Sequence, residues 1–237
     1  MTWQEQYTFS IIIPALNESA TIQRYLSELQ RLRKQTEIIV VDGGSVDNTI
    51  ELALPYADKL LSSERGRARQ MNHGAKLATG DILVFLHADT ELPENALSLI
   101  AEQLSTQKVW GRFDIELLGA SVMFNIIAFM MNWRSRLTGI ATGDQVLFVT
   151  KTAFIAVGGF PDISLMEDIA LSHALKKISP PVCLSAKVKS SARRWQHYGI
   201  YKTILLMWSL RLRYWLGQDP QYLAELYRTG KLWTRKH

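Results

Sequence analysis

A single cysteine, Cys183, stands in a chain of 237 residues. No intrachain disulfide can form, and such usage suits a reducing compartment. Long apolar runs are also scarce. Residues 117–133, LLGASVMFNIIAFMMNW, carry no charge, but 17 residues is the lower limit for a spanning helix, and Ser121 and Asn125 interrupt them. They predict a core or interfacial helix. The opening MTWQEQYTFS has no cationic segment followed by an apolar one, so no signal peptide is expected. Internal repeats, low-complexity tracts and obvious linkers are absent as well.

What is present is the balance of a globular chain, 47% hydrophobic and 21% charged. The length fits one large domain, or a domain with an appendage, and a substantial core. The net charge of +5 is uneven. From Lys187 onward the chain is rich in Lys and Arg, with Asp219 and Glu225 as its acids. Such a tail suits nucleic acid, an anionic membrane surface or phosphorylated ligands equally well. Residues 204–216, ILLMWSLRLRYWL, mix Trp and Leu with Arg211 and Arg213, which fits an interfacial helix or a helix packed on the domain with its arginines outward.

Apolar strand patterns and helical patterns alternate up to about residue 104. Phe9–Ile13 reads as a buried strand ended by Pro14, followed by a helix with Ile22, Leu26 and Leu29 at helical spacing. Further strands are expected at Ile38–Val41, over ADKLLSS and at Asp81–Leu86. Helices are expected from SVDNTIELALPYA, RGRARQMNHGAKLA and LPENALSLIAEQL. The second half is less regular: DQVLFVTKTAFIAVGGF predicts a strand and a short helix, and MEDIALSHALKKI a helix entered through acids. Strands that are apolar throughout belong to a sheet covered on both faces, and the alternation implies a parallel α/β sheet. Ligands of such sheets bind beyond the carboxyl ends of the strands. Asp42 stands at that end of its strand, and the Gly-Gly-Ser after it lets backbone approach a ligand closely.

Three acidic positions share this placement: Asp42 after IIVV, Asp89 after LVFLHA, and Glu167–Asp168 at a helix start. A lone acid there usually caps a turn or helix; three in one domain point to chemistry. With SIIIPALNE, IIVVDGGSVDNT, GRARQMNHGA, GDILVFLHADT, GGFPDISLMEDIALSHAL and SARRW in this order, the chain resembles the family 2 glycosyltransferases of the GT-A fold. GRARQMN, TGDQ, LMEDIALS and SARRW add a resemblance to a bacterial subgroup, the radical-SAM- and selenodomain-associated glycosyltransferases.

The resemblance implies a Rossmann-like, mostly parallel sheet covered by helices, and transfer of a sugar from a nucleoside diphosphate donor with inversion at the anomeric carbon. It places Pro14, Ala15, Asn17 and Glu18 around the nucleotide, and Asp42 as acceptor of hydrogen bonds from the base, commonly uracil. Gly66, Arg67 and Arg69 match the stretch that closes over the nucleotide, where an arginine can fork onto phosphate; a solvated basic loop is the alternative. The leaving diphosphate calls for Mn2+ or Mg2+. Asp89 keeps the second position of the family's Asp-x-Asp metal motif, and His87 replaces the first acid, as a metal ligand or ribose contact without negative charge. Asp168 matches the catalytic base, with Glu167 shaping the site. Arg194 and Trp195 match the end of a Gln-x-x-Arg-Trp motif, to neutralise diphosphate and stack on sugar; a helix-end arginine and a core tryptophan are the alternative. Ser191 stands where that motif has Gln, which weakens a reading as a processive polymerase.

Residues 1–198 are thus expected to form the catalytic domain, with a nucleotide-sugar half to about residue 104 and an acceptor side beyond it. Residues 199–237 form a helical, basic extension that meets a membrane interface. The acceptor is a lipid or a small molecule, nucleic acid is not a partner, and the location is cytoplasmic, on the inner face of the membrane. A nucleotidyltransferase would carry a basic, glycine-rich loop where PALNE stands, and a non-catalytic binding module would lack Asp89 or Asp168.

Overall fold

The computed structural model describes residues 7–104 and 107–232, so the last five residues of the expected extension lie outside the described residues. The chain enters as strand β1 (Phe9–Ala15), helix α1 (Ile22–Leu29), β2 (Thr36–Asp42), α2 (Thr49–Ala53), β3 (Lys59–Ser62), α3 (Arg67–Leu77) and β4 (Ile82–Phe85). A two-residue strand β5 (Thr90–Glu91) and α4 (Ala96–Gln103) complete this half. Beyond it come β6 (Trp110–Leu118), α5 (Val122–Thr138), β7 (Leu147–Thr150), α6 (Lys151–Ala156), α7 (Glu167–Lys176) and β8 (Val182–Ser191). Three helices close the described chain: α8 (Arg193–Tyr198), α9 (Ile200–Trp215) and α10 (Pro220–Thr229).

One eight-stranded sheet has the order β3-β2-β1-β4-β7-β6-β8-β5. The nucleotide half pairs in parallel, β3 with β2, β2 with β1 and β1 with β4. β7 then runs antiparallel to both β4 and β6, β8 returns parallel to β6, and β5 crosses over to pair antiparallel with β8. Side chains alternate across the sheet. Ile11, Ile13, Val40 and Val84 share a core with Leu26 and Ile100, whereas Ile12, Val41 and Phe85 share one with Met71 and Leu171. Both faces are therefore covered, as the unbroken apolar runs require.

Two boundaries differ from expectation. β1 continues through Pro14 to Ala15. The Ile12 carbonyl accepts from Leu86 N–H toward β4, and the Ala15 carbonyl accepts from Gly43 N–H toward β2. Alternation turns the Pro14 nitrogen toward β4, whose pairing with β1 ends at Ile12–Phe85, so no ladder bond is lost there. The uncharged run at 117–133 is split. Its first two residues finish β6, and the helix starts after Ser121, whose Oγ accepts from Met123 N–H. The helix then runs past Arg134 and Arg136 to a left-handed Gly139.

α9 and α10 pack back on the domain. Leu206, Leu210, Leu223 and Leu226 form a third cluster with Met166 and Ile169 at the start of α7. Among the described residues, no helix is long and apolar enough to cross a membrane.

Candidate active site

The loops after β1 and β2 are stitched together. Asn17, at φ 54°, donates its N–H to Ser45 Oγ and accepts from Val46 N–H at its side-chain oxygen, both at 2.9 Å. Glu18 N–H reaches Thr49 Oγ1 at 2.8 Å. Asp42 is buried and accepts from the N–H groups of Gly44 and Ser45, at 2.9 and 3.0 Å, so its carboxylate also shapes its own turn. Beneath Pro14 and Ala15 lies Gln70, whose amide donates to the carbonyls of Ala15 and Val41 at 2.9 and 2.8 Å. Sequence reasoning missed Gln70, which sits inside GRARQMN without any sign of being buried.

Glu18 and Asp89 converge on one cation. Arg193 Nη2 lies 3.0 Å from a carboxylate oxygen of each. The positive charge comes from the chain itself, in the SARRW segment.

The acidic centre lies on the other side of β4. α7 begins after Met166, a non-glycine residue held at φ 70° and ψ 19°. Its first turn carries Glu167 and Asp168, where the helix N-terminus favours negative charge. Asp168 accepts from Gly143 N–H at 2.8 Å and from its neighbour Ile169 N–H at 2.7 Å. Burial pushes Asp168 above the ordinary carboxylate range despite those two donors; Asp144 adds to the rise and Arg67 opposes it. Burial and then the charge of Asp168 push Glu167 up as well.

His87 Nδ1 faces Asp144 Oδ1 at 3.3 Å. Burial raises Asp144, but His87, Arg67 and Arg194 outweigh it and hold this carboxyl below its usual value. The other edge of the imidazole faces Gly143, where a Cβ would come within 2.6 Å of Nε2. Glycine there lets His87 and the peptide that supports Asp168 approach each other.

A cavity of about 550 Å³ joins these groups, with Arg67, His87, Asp144, Glu167, Asp168 and Trp195 on its wall. Gly66, at φ 145°, turns the chain into α3 and brings Arg67 to the cavity. Burial works against the charge on Arg67, but Tyr227, Glu167, Asp144 and Asp168 outweigh it and raise its pKa. The structure does not bring Arg69 or Arg194 to this wall. Arg69 pairs with Asp162 and Glu64. Arg194 donates to the Tyr227 carbonyl and stacks 3.5 Å from the centre of its ring. Asp144 and Arg134 also line the cavity. The TGDQ motif held a signal for Asp144, whereas no local pattern marks Arg134.

Comparison with known proteins accords with this architecture. The chain is 27% identical over 200 residues to a 4,4'-diaponeurosporenoate glycosyltransferase of Staphylococcus haemolyticus, covering 74% of this chain and 53% of that protein. It spans about half the length of such curated relatives. Among solved structures it is similar to a mannosyltransferase from Pyrobaculum calidifontis in complex with GDP-Man and Mn2+, with a TM-score of 0.64, 20% identity, and coverage of 87% of this chain and 62% of the other. It is also similar to residues 1–349 of S. aureus TarS in complex with UDP-GlcNAc, with a TM-score of 0.63, 18% identity, and coverage of 78% and 58%. These likenesses show the GT-A fold. A family model, glycosyl transferase family 2, matches residues 10–154, well over half of the chain, and the protein belongs to that family.

Proposed function

We propose that the protein is an inverting glycosyltransferase that moves a sugar from a nucleoside diphosphate donor, UDP-linked by preference, to an acceptor hydroxyl, with Asp168 as general base. The observation that carries this reading is the placement of Asp168. It is an acid raised by burial, fixed by two backbone donors, and set on a cavity that Arg67, at the start of α3, and His87, just after β4, also line. A base of this kind takes the proton of the attacking hydroxyl. Asn17, Glu18 and Asp42 form the strand-end pocket for the nucleotide, and Arg67 supplies charge toward its phosphates. Trp195 offers a face for the sugar. SARRW and LMEDIALS support membership of the radical-SAM- and selenodomain-associated subgroup.

The residues present fit a divalent cation. Glu18 and Asp89 already hold a cation between them in the form of Arg193. Among the described residues, no group of three or more His, Cys, Asp or Glu side chains forms a metal cage. Asp89 with Glu18 would therefore hold Mn2+ or Mg2+ jointly with donor phosphate oxygens, and His87 is committed to Asp144. When bound, the metal supplies positive charge to the departing diphosphate.

The exposed apolar side chains of α5 and α9, with Lys202, Arg211 and Arg213 among them, support contact with an anionic membrane surface from the cytoplasmic side. The test of the reaction is release of free nucleoside diphosphate from a panel of nucleotide sugars, with and without Mn2+. We expect one donor to be hydrolysed slowly and only with metal. Absence of hydrolysis and of binding across the panel overturns the reading.

A further inference from the structure

Beyond Asp168 the cavity continues between α5 and α9. Its wall there is made of flexible apolar side chains: Met123, Ile127, Met130 and Met131 from α5, and Ile204 and Met207 from α9. Two arginines interrupt this wall, Arg211 from α9 and Arg134 from α5. Arg134, one turn before the end of α5, lines the same cavity, and its Nε and Nη2 atoms are buried without a hydrogen-bond partner. Two other arginines carry buried, unpaired nitrogens, but each has a fixed partner elsewhere: Arg112 pairs with Asp114, and Arg194 bonds the Tyr227 carbonyl. Arg134 has no such partner among the described residues.

A buried guanidinium keeps its charge and five donors and has no acceptor capacity of its own. Leaving its donors unmade is costly, so an anion that enters finds an uncompensated fork ready for a carboxylate or a phosphate. Burial depresses the pKa of Arg134, and Asp168 is near enough to offset part of that effect. An anionic ligand would be repelled by Asp168 unless a cation held it to one side. The methionine wall explains the rest of the ligand: thioether side chains adapt to an elongated hydrocarbon. The cavity opens beside Ile126 and Trp208, which are exposed, so a chain can enter from an apolar phase.

Building on the reading of this cavity as the acceptor side, we propose that Arg134 determines acceptor specificity: it binds the carboxylate or phosphate of an amphipathic acceptor. The acceptor's hydrocarbon lies against α5 and α9, and its hydroxyl is thereby set at Asp168.

The test is binding to the full chain, followed by tryptophan fluorescence and calorimetry. The probes are decyl phosphate, decanoate, decanol and inorganic phosphate, all at monomeric concentrations. We expect the wild type to bind one or both anionic chains roughly tenfold more tightly than decanol and than inorganic phosphate, the scale of one charge-assisted pair. Arg134→Met should abolish that preference while keeping decanol affinity and UDP affinity, and Arg134→Lys should restore part of it. The tighter of decanoate and decyl phosphate identifies the anion. The proposal is overturned if Arg134→Met keeps the preference, if decanol binds the wild type as tightly as the anions, or if inorganic phosphate binds as tightly as decyl phosphate. If Arg134→Met loses UDP affinity through misfolding, Arg134→Gln replaces it under the same criteria. None of these readouts needs turnover. A protein that hydrolyses no nucleotide sugar but shows the preference sinks the proposed reaction alone; one that hydrolyses a donor without the preference sinks the acceptor class alone.

Discussion

Asp168 stands between opposing influences, and its acidity is where they show. Asp168→Asn should retain donor binding and lose roughly 10²- to 10⁴-fold in transfer rate, the range for a positioned general base. The pH profile gives a finer test. The proposed base acts ionised, and burial raises its pKa, so the acid limb of kcat/KM should lie above the ordinary aspartate value of about 3.9. Asp144 adds to that rise, so Asp144→Asn should move the limb to lower pH; Arg67 counteracts it, so Arg67→Met should move the limb to higher pH. Identical limbs in all three proteins would remove Asp168 as the titrating base. Arg193 offers a second residue-level test. Its guanidinium sits between Glu18 and Asp89, the acids proposed for the metal. Arg193→Met should therefore strengthen Mn2+ binding to the nucleotide-free protein several-fold, since two acids spaced for one cation would lose it. Asp89→Ala should weaken it. Electron paramagnetic resonance of free Mn2+ measures both, and equal affinities in the wild type and Arg193→Met would show that the guanidinium does not compete.

At the level of elements, α9 carries an unpartnered stripe. Tyr201, Leu205, Trp208, Leu212 and Trp215 recur at helical spacing and are exposed, while Thr203, Leu206 and Leu210 face the core. Leu212→Glu with Trp215→Glu should abolish sedimentation with anionic liposomes and change unfolding stability by less than about 1 kcal/mol, as surface substitutions do. Equal sedimentation of wild type and variant would make the stripe irrelevant to membranes. The sequence made some elements plain and hid others for physical reasons. β2 and β4 are buried on both faces, so they appear as uninterrupted Ile, Val and Leu. β6 was hidden by Arg112, Asp114 and Glu116; Arg112 is fully buried yet balanced by Asp114, a compensation visible only in three dimensions. β8 alternates, with Val188 inside and Lys187 and Lys189 exposed, and β5 is two residues long. The cap residues Ser121 and Gly139 mark the true ends of α5, whereas the uncharged run stops at Trp133, where charge changes but helix propensity does not. The acids of the site were legible because strand ends and helix starts are local features. Arg134 was not, because which turn of a long helix meets a cavity is decided by distant chain.

For the molecule as a whole, the last described helices bear on the turn that carries Asp168. Met166 holds a left-handed conformation immediately before Glu167 and Asp168, a strain that persists only where surroundings enforce it. Its surroundings include Leu206, Leu210, Leu223 and Leu226. Leu223→Ala, on α10 and outside the cavity wall, should cost about 2–5 kcal/mol in denaturant unfolding and reduce turnover per folded molecule. Unchanged turnover in the folded fraction would separate the C-terminal helices from the site. The arrangement also sets an order in time. A ribosome makes the nucleotide-side loops first, and they can close on β1, β2 and β4 while the rest of the chain is still emerging. The apolar cluster around Met166 and Ile169, beside Asp168, is complete only after Leu226 has been translated. A nascent chain not yet extended past Leu226 can therefore hold the loops proposed for the donor before the turn of the proposed base has its full packing.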